Sequence, residues 1–314
     1  MPTVANLRQS LLVLFAIVCA ILLFVGGPDL VHARSFKRAW DLGHIPAFAV
    51  WTLLLLRGWP RLATLGWVTQ VVVVVLLTVS VGGAVEIAQG AVGRYPGWLD
   101  VEHDILGSLL ALFFGAPGRF HLPTHWRRLA QVAILGWLLL ALVPVGRALV
   151  DEWDMVRAFP VLADFEAPFE LERWSGNARL SVDHTIVASG RASLCIDLNT
   201  AQYSGASLSY FPGDWRGWRW IVFRVYNPDD KPIRLVCKIN DHPHDVSGYR
   251  YADRFNQTYA MHPGWNRIRI PLEAVATAPK GRRMDLSRIT EFNLFSVRLP
   301  EPRRVYLDRL VLER

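Results

Sequence analysis

Acidic side chains are scarce at the start of this 314-residue chain, where the first 150 residues hold six Asp and Glu against 21 in the rest. Lys and Arg show the same skew, 11 against 23. A soluble domain carries about 25% charged residues, so the first part is not a water-soluble globule. The change near residue 150 excludes one uniform domain, a disordered chain and a coiled coil. Cysteine is scarce as well. Three cysteines with no CxxC spacing give no zinc or dithiol redox motif. The net charge is +7, yet no basic run exceeds two residues. Those charges read as membrane-edge residues, and no nucleic-acid partner is expected.

Apolar length is what the first part has. Uncharged runs cover 9–28, 62–85 and 129–146, each near the roughly 20 residues that cross a ~30 Å hydrocarbon core. Two shorter runs, Ile45–Leu56 and Ile105–Pro117, would reach only about 18–20 Å as helices. They are either buried or re-entrant segments, or they extend at their N-terminal ends. The favoured extension runs through Asp41 and His44 in one case and Asp100, Glu102, His103 and Asp104 in the other. It gives an all-α membrane bundle of five spans at about 9–28, 40–57, 62–86, 101–117 and 129–149. A cleaved signal peptide ending at Val31-His32-Ala33 is the alternative for the first span.

With the N-terminus cytoplasmic, the inner side holds Arg8, Arg57, Arg61, Arg119, Arg127 and Arg128. The outer side holds Arg34, Lys37, Arg38, Arg94 and Arg147, a small positive-inside excess. Asp41, His44, Glu86, Gln89, Arg94, Asp100, His103 and Asp104 then gather at the outer membrane boundary. Glu86 and Gln89 share a helix face, as do Asp100 and Asp104. Carboxylates at that depth need partners, and Arg94 and the histidines supply them. The cluster is either an ion-pair network that locks helices together or a polar pocket open to the outer face.

The order of these residues resembles the VanZ-like family. A His opens the second helix (His44), Glu-x-x-Gln ends the third (Glu86, Gln89), an Arg follows (Arg94), and Asp100, Asp104 and Gly107 open the fourth. Asp104 stands where that family usually has Asn, and the usual Asp-Lys pair ahead of the His is missing. The resemblance implies an envelope protein of the bacterial plasma membrane, linked in some members to glycopeptide-antibiotic resistance, with no settled activity.

From Asp151 the pattern changes to short alternating runs split by turn residues. Strands are expected around Ser207–Tyr210, Trp220–Tyr226, Ile233–Ile239, Arg267–Ile270 and Val305–Leu312. An all-β sandwich over 161–314 follows, after a linker at 151–160. Trp220 and Trp265 are expected in its core. Alternation also turns Cys195 away from the face carrying Leu194 and Ile196, and puts Cys237 among Ile233, Leu235 and Ile239, so no disulfide is expected.

The stretches Asp164-Phe165-Glu166, Gly190-Arg191-Ala192-Ser193-Leu194, Tyr251-Ala252-Asp253-Arg254-Phe255-Asn256 and Tyr306-Leu307-Asp308 resemble jelly-roll carbohydrate-binding modules of the galactose-binding-like type. The resemblance implies a structural calcium shared by Glu166 and Asp308, with Asp164 a lesser candidate. It also implies sugar contacts among Tyr203, Tyr249, Tyr251, Asp253, Arg254 and Asn256, and an extracytoplasmic C-terminal domain.

Three functions stay open on the sequence. The first is a multi-pass envelope protein in the lipid bilayer that displays a glycan-binding domain, with the membrane site recognising or processing a lipid-linked or cell-wall glycan. The second is a membrane enzyme using Glu86, Asp100 and Asp104 as acid/base groups, with Arg94 holding a phosphate. The third is a scaffold for an envelope partner protein.

Overall fold

The computed structural model describes residues 13–15, 17–19, 21–22, 33–91 and 97–314. The chain forms two compact units, 1–146 and 147–314.

The first unit is helical. Helix α1 (Arg34–Asp41) is followed, after a turn at Leu42 and Gly43, by α2 (His44–Gly58). Pro60 opens a single helical turn, Pro60–Ala63, and α3 (Trp67–Ala91) follows. Helix α4 (Trp98–Leu110) continues into a π-helical turn, Ala111–Gly115. Helix α5 (Thr124–Ala158) carries Pro144 inside it, and its last residues from Arg147 belong to the second unit. Helix α4 packs on α2 and α3. A buried cluster of Leu56, Leu62, Trp67, Leu106, Leu112 and Phe113 holds the unit together. Thr52 and Thr78 both bond the Ser108 hydroxyl, at 3.0 and 2.8 Å, and tie α2 and α3 to α4. Interhelical hydroxyl pairs of this kind are common where lipid surrounds a bundle.

Three helical stretches among the described residues are long and apolar enough to cross a membrane: Arg34–Gly58, Trp67–Gly90 and Thr124–Ala158. Val68, Leu76 and Ile87 on α3 and Val132, Leu139 and Leu140 on α5 are exposed, a surface that water does not favour. This corrects the expected five spans. The run expected at 9–28 falls largely outside the described residues. The one expected at 101–117 forms a 13-residue helix and the π-helical turn after it, and its first two turns hold Asp100, Glu102 and Asp104, too polar for a lipid-facing span.

The second unit is a two-sheet antiparallel sandwich. One sheet has the order β3 (Arg179–Asp183), β4 (Ser193–Leu198), β11 (Arg303–Glu313), β6 (Trp220–Asn227), β9 (Gly264–Pro271), with β1 (Val161–Ala163) also on β11. The other has the order β2 (Trp174–Ser175), β5 (Tyr203–Leu208), β10 (Ile289–Val297), β7 (Ile233–Asp241), β8 (Phe255–Met261). Successive strands from β4 to β7 and from β9 to β11 alternate between sheets, the jelly-roll habit. Each expected strand is present, one to four residues longer than its sequence signal, except that the strand expected at Ser207–Tyr210 lies earlier, at Tyr203–Leu208.

Period-two alternation fills the core from both sheets with Leu194, Ile196, Ile221, Phe223, Leu235, Phe292 and Leu307. The same alternation corrects the tryptophans. Ile221, Phe223 and Val225 point inward on β6, so Trp220 turns outward, where the Arg269 guanidinium lies 3.9 Å from its ring centroid. Trp265 is 39% exposed, and the fully buried indole is Trp215. Cys237 lies in the core and Cys195 does not; all three cysteines are unpaired.

Candidate functional site

Two polar sites emerge, one in each unit. In the helical unit, His44 is the first residue of α2 and is 5% exposed. His44 Nδ1–H donates to Asp104 Oδ1 at 2.8 Å, and Nε2 lies 3.8 Å from Asp100 Oδ2. This approach needs small residues. A side chain at Gly107 would collide with the Ile45 carbonyl, and one at Gly82 with the Asp104 carboxylate. Glu86, near the end of α3, accepts from the Gly97 amide through Oε2 at 2.6 Å, while Oε1 is buried without a hydrogen-bond partner. Ligand atoms of His44, Glu86 and Asp100 all lie within 4.8 Å of one another.

The structure thus brings together His44, Glu86, Asp100 and Asp104. Gln89 is buried, and His103 Nδ1 stands 3.2 Å from the Asp41 carbonyl. Arg94 lies outside the described residues. A cavity of about 240 Å³ reaches His44, Asp41 and Asp100 between apolar walls that include Phe15, Leu22 and Trp40.

In the sandwich, the outward face of the β2-β5-β10-β7-β8 sheet carries a polar row in strict register. Ser175 pairs with Ser207, Ser207 with Asn293, Asn293 with Lys238, and Lys238 with Asn256. These side chains are polar because their neighbours along each strand, such as Phe292 and Leu294 or Cys237 and Ile239, take the core side. A groove of about 430 Å³ crosses this face, lined by Asn177, Tyr203, Ser207, Lys238, Arg254, Asn293 and Phe295. Tyr203 is 54% exposed and packs edge-on against Phe295. Ser207 donates to Asn293 Oδ1, and Lys238 is paired with Glu291 at 2.8 Å. Three polar atoms at this face are buried with no hydrogen-bond partner: Asn293 Nδ2, Asn256 Oδ1 and Arg254 Nε.

Of the sugar-contact residues expected from sequence, Tyr203 and Arg254 line the groove. Asn256 continues the polar row and donates to Tyr251 Oη at 2.7 Å, and Arg254 stacks on the Tyr251 ring. Asp253 and Tyr249 serve otherwise. The Asp253 carboxylate is taken by Arg282 and Ser247, and the Arg282 hydrogen bond holds its pKa below the usual range. Tyr249 packs its ring against His244. Asn177, Ser207, Lys238, Asn293 and Phe295 were missed, although alternation alone marks the last four as outward.

The two carboxylates expected to share a calcium each clasp the 188–192 loop through backbone amides. Asp308 Oδ2 accepts from Ala188 and Ser189, and Glu166 Oε1 from Arg191 and Ala192. Those amide bonds, with that of Arg191 foremost, lower the Glu166 pKa, whereas burial raises that of Asp308. The Ala188 carbonyl accepts from Arg224. Asp308 Oδ1 alone is buried without a hydrogen-bond partner.

No family model and no curated protein matches the chain, so the VanZ-like resemblance and its antibiotic-resistance link gain no support. Similar solved structures cover its second half. A family 11 carbohydrate-binding module from Clostridium thermocellum, in complex with a beta-1,3-1,4-mixed-linked tetrasaccharide, is 17% identical over 49% of this chain and 94% of that one, with a TM-score of 0.38. An exo-beta-agarase is 16% identical over 49% of this chain and 24% of that one, with a TM-score of 0.40. The CBM22-1 and GH10 modules of xylanase 10B from the same Clostridium, complexed with xylohexaose, are 11% identical over 49% and 28%, with a TM-score of 0.35. No residue role carries over at this similarity.

Proposed function

We propose that this chain is a membrane-anchored glycan-binding protein, whose helical unit sits in a bacterial plasma membrane and whose sandwich binds a carbohydrate chain. The observation that carries the reading is the in-register row Ser175–Ser207–Asn293–Lys238–Asn256, beside Tyr203 and Phe295. Sugars present hydroxyls that donate and accept, together with apolar C–H faces. The row offers both donors and acceptors, and the aromatic pair offers a ring to stack on. Buried polar groups are rarely left unpaired, so Asn293 Nδ2, Asn256 Oδ1 and Arg254 Nε favour a ligand that completes them. A face lined with aliphatic side chains would instead favour the scaffold reading. In this reading the sandwich lies on the extracytoplasmic side, where envelope polysaccharide is available.

Full-length protein in nanodiscs, applied to an array of bacterial and plant glycans, tests the reading. Saturable binding to a defined oligosaccharide, lost in an Asn293→Ala and Arg254→Ala double variant, is the expected result. Binding to no glycan, or binding indifferent to both substitutions, rejects it.

A further inference from the structure

The buried cluster of the helical unit has the geometry of a cation site. His44 from α2, Glu86 from α3 and Asp100 from α4 place one ligand atom each within 4.8 Å of the other two. The 3.8 Å between His44 Nε2 and Asp100 Oδ2 is too long for a hydrogen bond. It is close to the roughly 3–3.5 Å that separates two ligands of one ion at bond lengths of about 2.1 Å.

Two further observations point to an ion. Glu86 is 6% exposed, and its Oε1 is buried with no hydrogen-bond partner. A carboxylate oxygen in that state costs free energy unless something positive meets it. Asp104, 1% exposed, accepts from His44 Nδ1–H at 2.8 Å. That bond fixes the imidazole tautomer and leaves the Nε2 lone pair facing Asp100, the carboxylate–histidine–metal arrangement that orients metal-binding histidines.

We propose that His44, Glu86 and Asp100 hold a divalent Zn²⁺ or Mn²⁺ ion, with Asp104 positioning His44. One imidazole and two carboxylates form a mixed N/O set, whereas Ca²⁺ and Mg²⁺ take oxygen donors. The ion offsets negative charge that an apolar bundle otherwise tolerates poorly. Three protein ligands leave a coordination position open. The cavity between Phe15, Leu22 and Trp40 reaches His44 and Asp100, so an incoming oxygen ligand enters there. The site is separate from the sandwich groove and stands without the glycan reading.

Full-length protein in detergent, stripped with EDTA, is titrated with MnCl₂ while the electron paramagnetic resonance signal of free Mn²⁺ is followed. One equivalent per chain, displaced by ZnSO₄, is expected. Glu86→Gln removes that equivalent, Asp104→Asn weakens it about 10–100-fold, and Glu102→Gln, an exposed carboxylate on the same helix, leaves it unchanged. The wild-type titration decides the matter even if a variant fails to fold. No saturable equivalent in the wild type overturns the proposal, and so does full binding by a folded Glu86→Gln protein.

Discussion

The imidazole of His44 and the carboxylate of Asp104 meet at 2.8 Å although 60 residues of chain separate them. Their contact depends on how closely α2 and α4 approach at Gly107, which lies against the Ile45 carbonyl. Even one methyl group there must push the two helices apart. Gly107→Ala should therefore destabilise the protein by about 1–3 kcal/mol, the usual cost of overpacking. Gly136→Ala, on α5 with nothing within 4 Å, should be neutral or stabilising, because Ala is the better helix former. Thermal unfolding of both variants in one detergent makes the comparison. Equal melting temperatures would mean that the helices do not approach so closely.

Glu170 is 2% exposed and shares one guanidinium, that of Arg173, with Asp151. Two carboxylates around one cation leave a charge too many. Burial pushes the Glu170 carboxyl up to about 7 from 4.5, against the pull of Arg173 and the Phe165 and Asp164 amides. The folded state thus keeps a proton that the unfolded chain loses near pH 4.5. The stability this provides is complete below pH 4.5 and is lost as pH rises through about 7. Glu170→Gln should remove that part of the pH dependence. Denaturation midpoints between about pH 4.5 and 8 test this, and identical slopes for wild type and variant would reject it.

Much of this organisation is legible in the sequence, for identifiable reasons. The strands announced themselves because alternation in runs such as Trp220–Tyr226 is a local signal of one-sided burial. The approach of His44, Glu86, Asp100 and Asp104 could be anticipated because polar residues bounding apolar runs collect at one level of a bundle. What stayed hidden depends on register and on pairing. Nothing in the sequence says that Asn293 stands between Ser207 and Lys238, since strand order is not a local property. The engagement of Asp253 by Arg282 was hidden too, because the two are 29 positions apart in the chain. The fourth expected span was extended through Asp100, Glu102 and Asp104 to reach spanning length, and in the structure those carboxylates make its first two turns too polar for one.

Arg282 bridges Asp241 and Asp253 with contacts of 2.6 Å to each. Asp241 is fully buried. Burial pushes its pKa up, yet the guanidinium and the amides of Asp285 and His244 outweigh that and bring it below the usual range. Arg282→Ala leaves this carboxylate without its counter-charge and should cost about 3–5 kcal/mol. Arg282→Lys should recover only part of the loss, because an ammonium cannot fork across two carboxylates. Chemical denaturation of the three proteins gives the order. A lysine variant as stable as the wild type would show that charge alone matters there.

Tyr203 and Trp265 are both exposed aromatics of the sandwich, at 54% and 39%, but they stand on different sheets. Tyr203 borders the groove beside Phe295, whereas Trp265 stacks on Tyr226 on the opposite sheet. If the polar row binds the glycan, Tyr203→Ala removes a stacking surface at its edge. Affinity should then fall about tenfold, equivalent to ~1.4 kcal/mol. Trp265→Ala should leave affinity unchanged, because its ring faces away from the row. Calorimetric titration of both variants with the best-bound array oligosaccharide separates the two faces. Loss on Trp265→Ala with no change on Tyr203→Ala would move the binding face to the other sheet, leaving the row Ser175–Ser207–Asn293–Lys238–Asn256 as solvated surface.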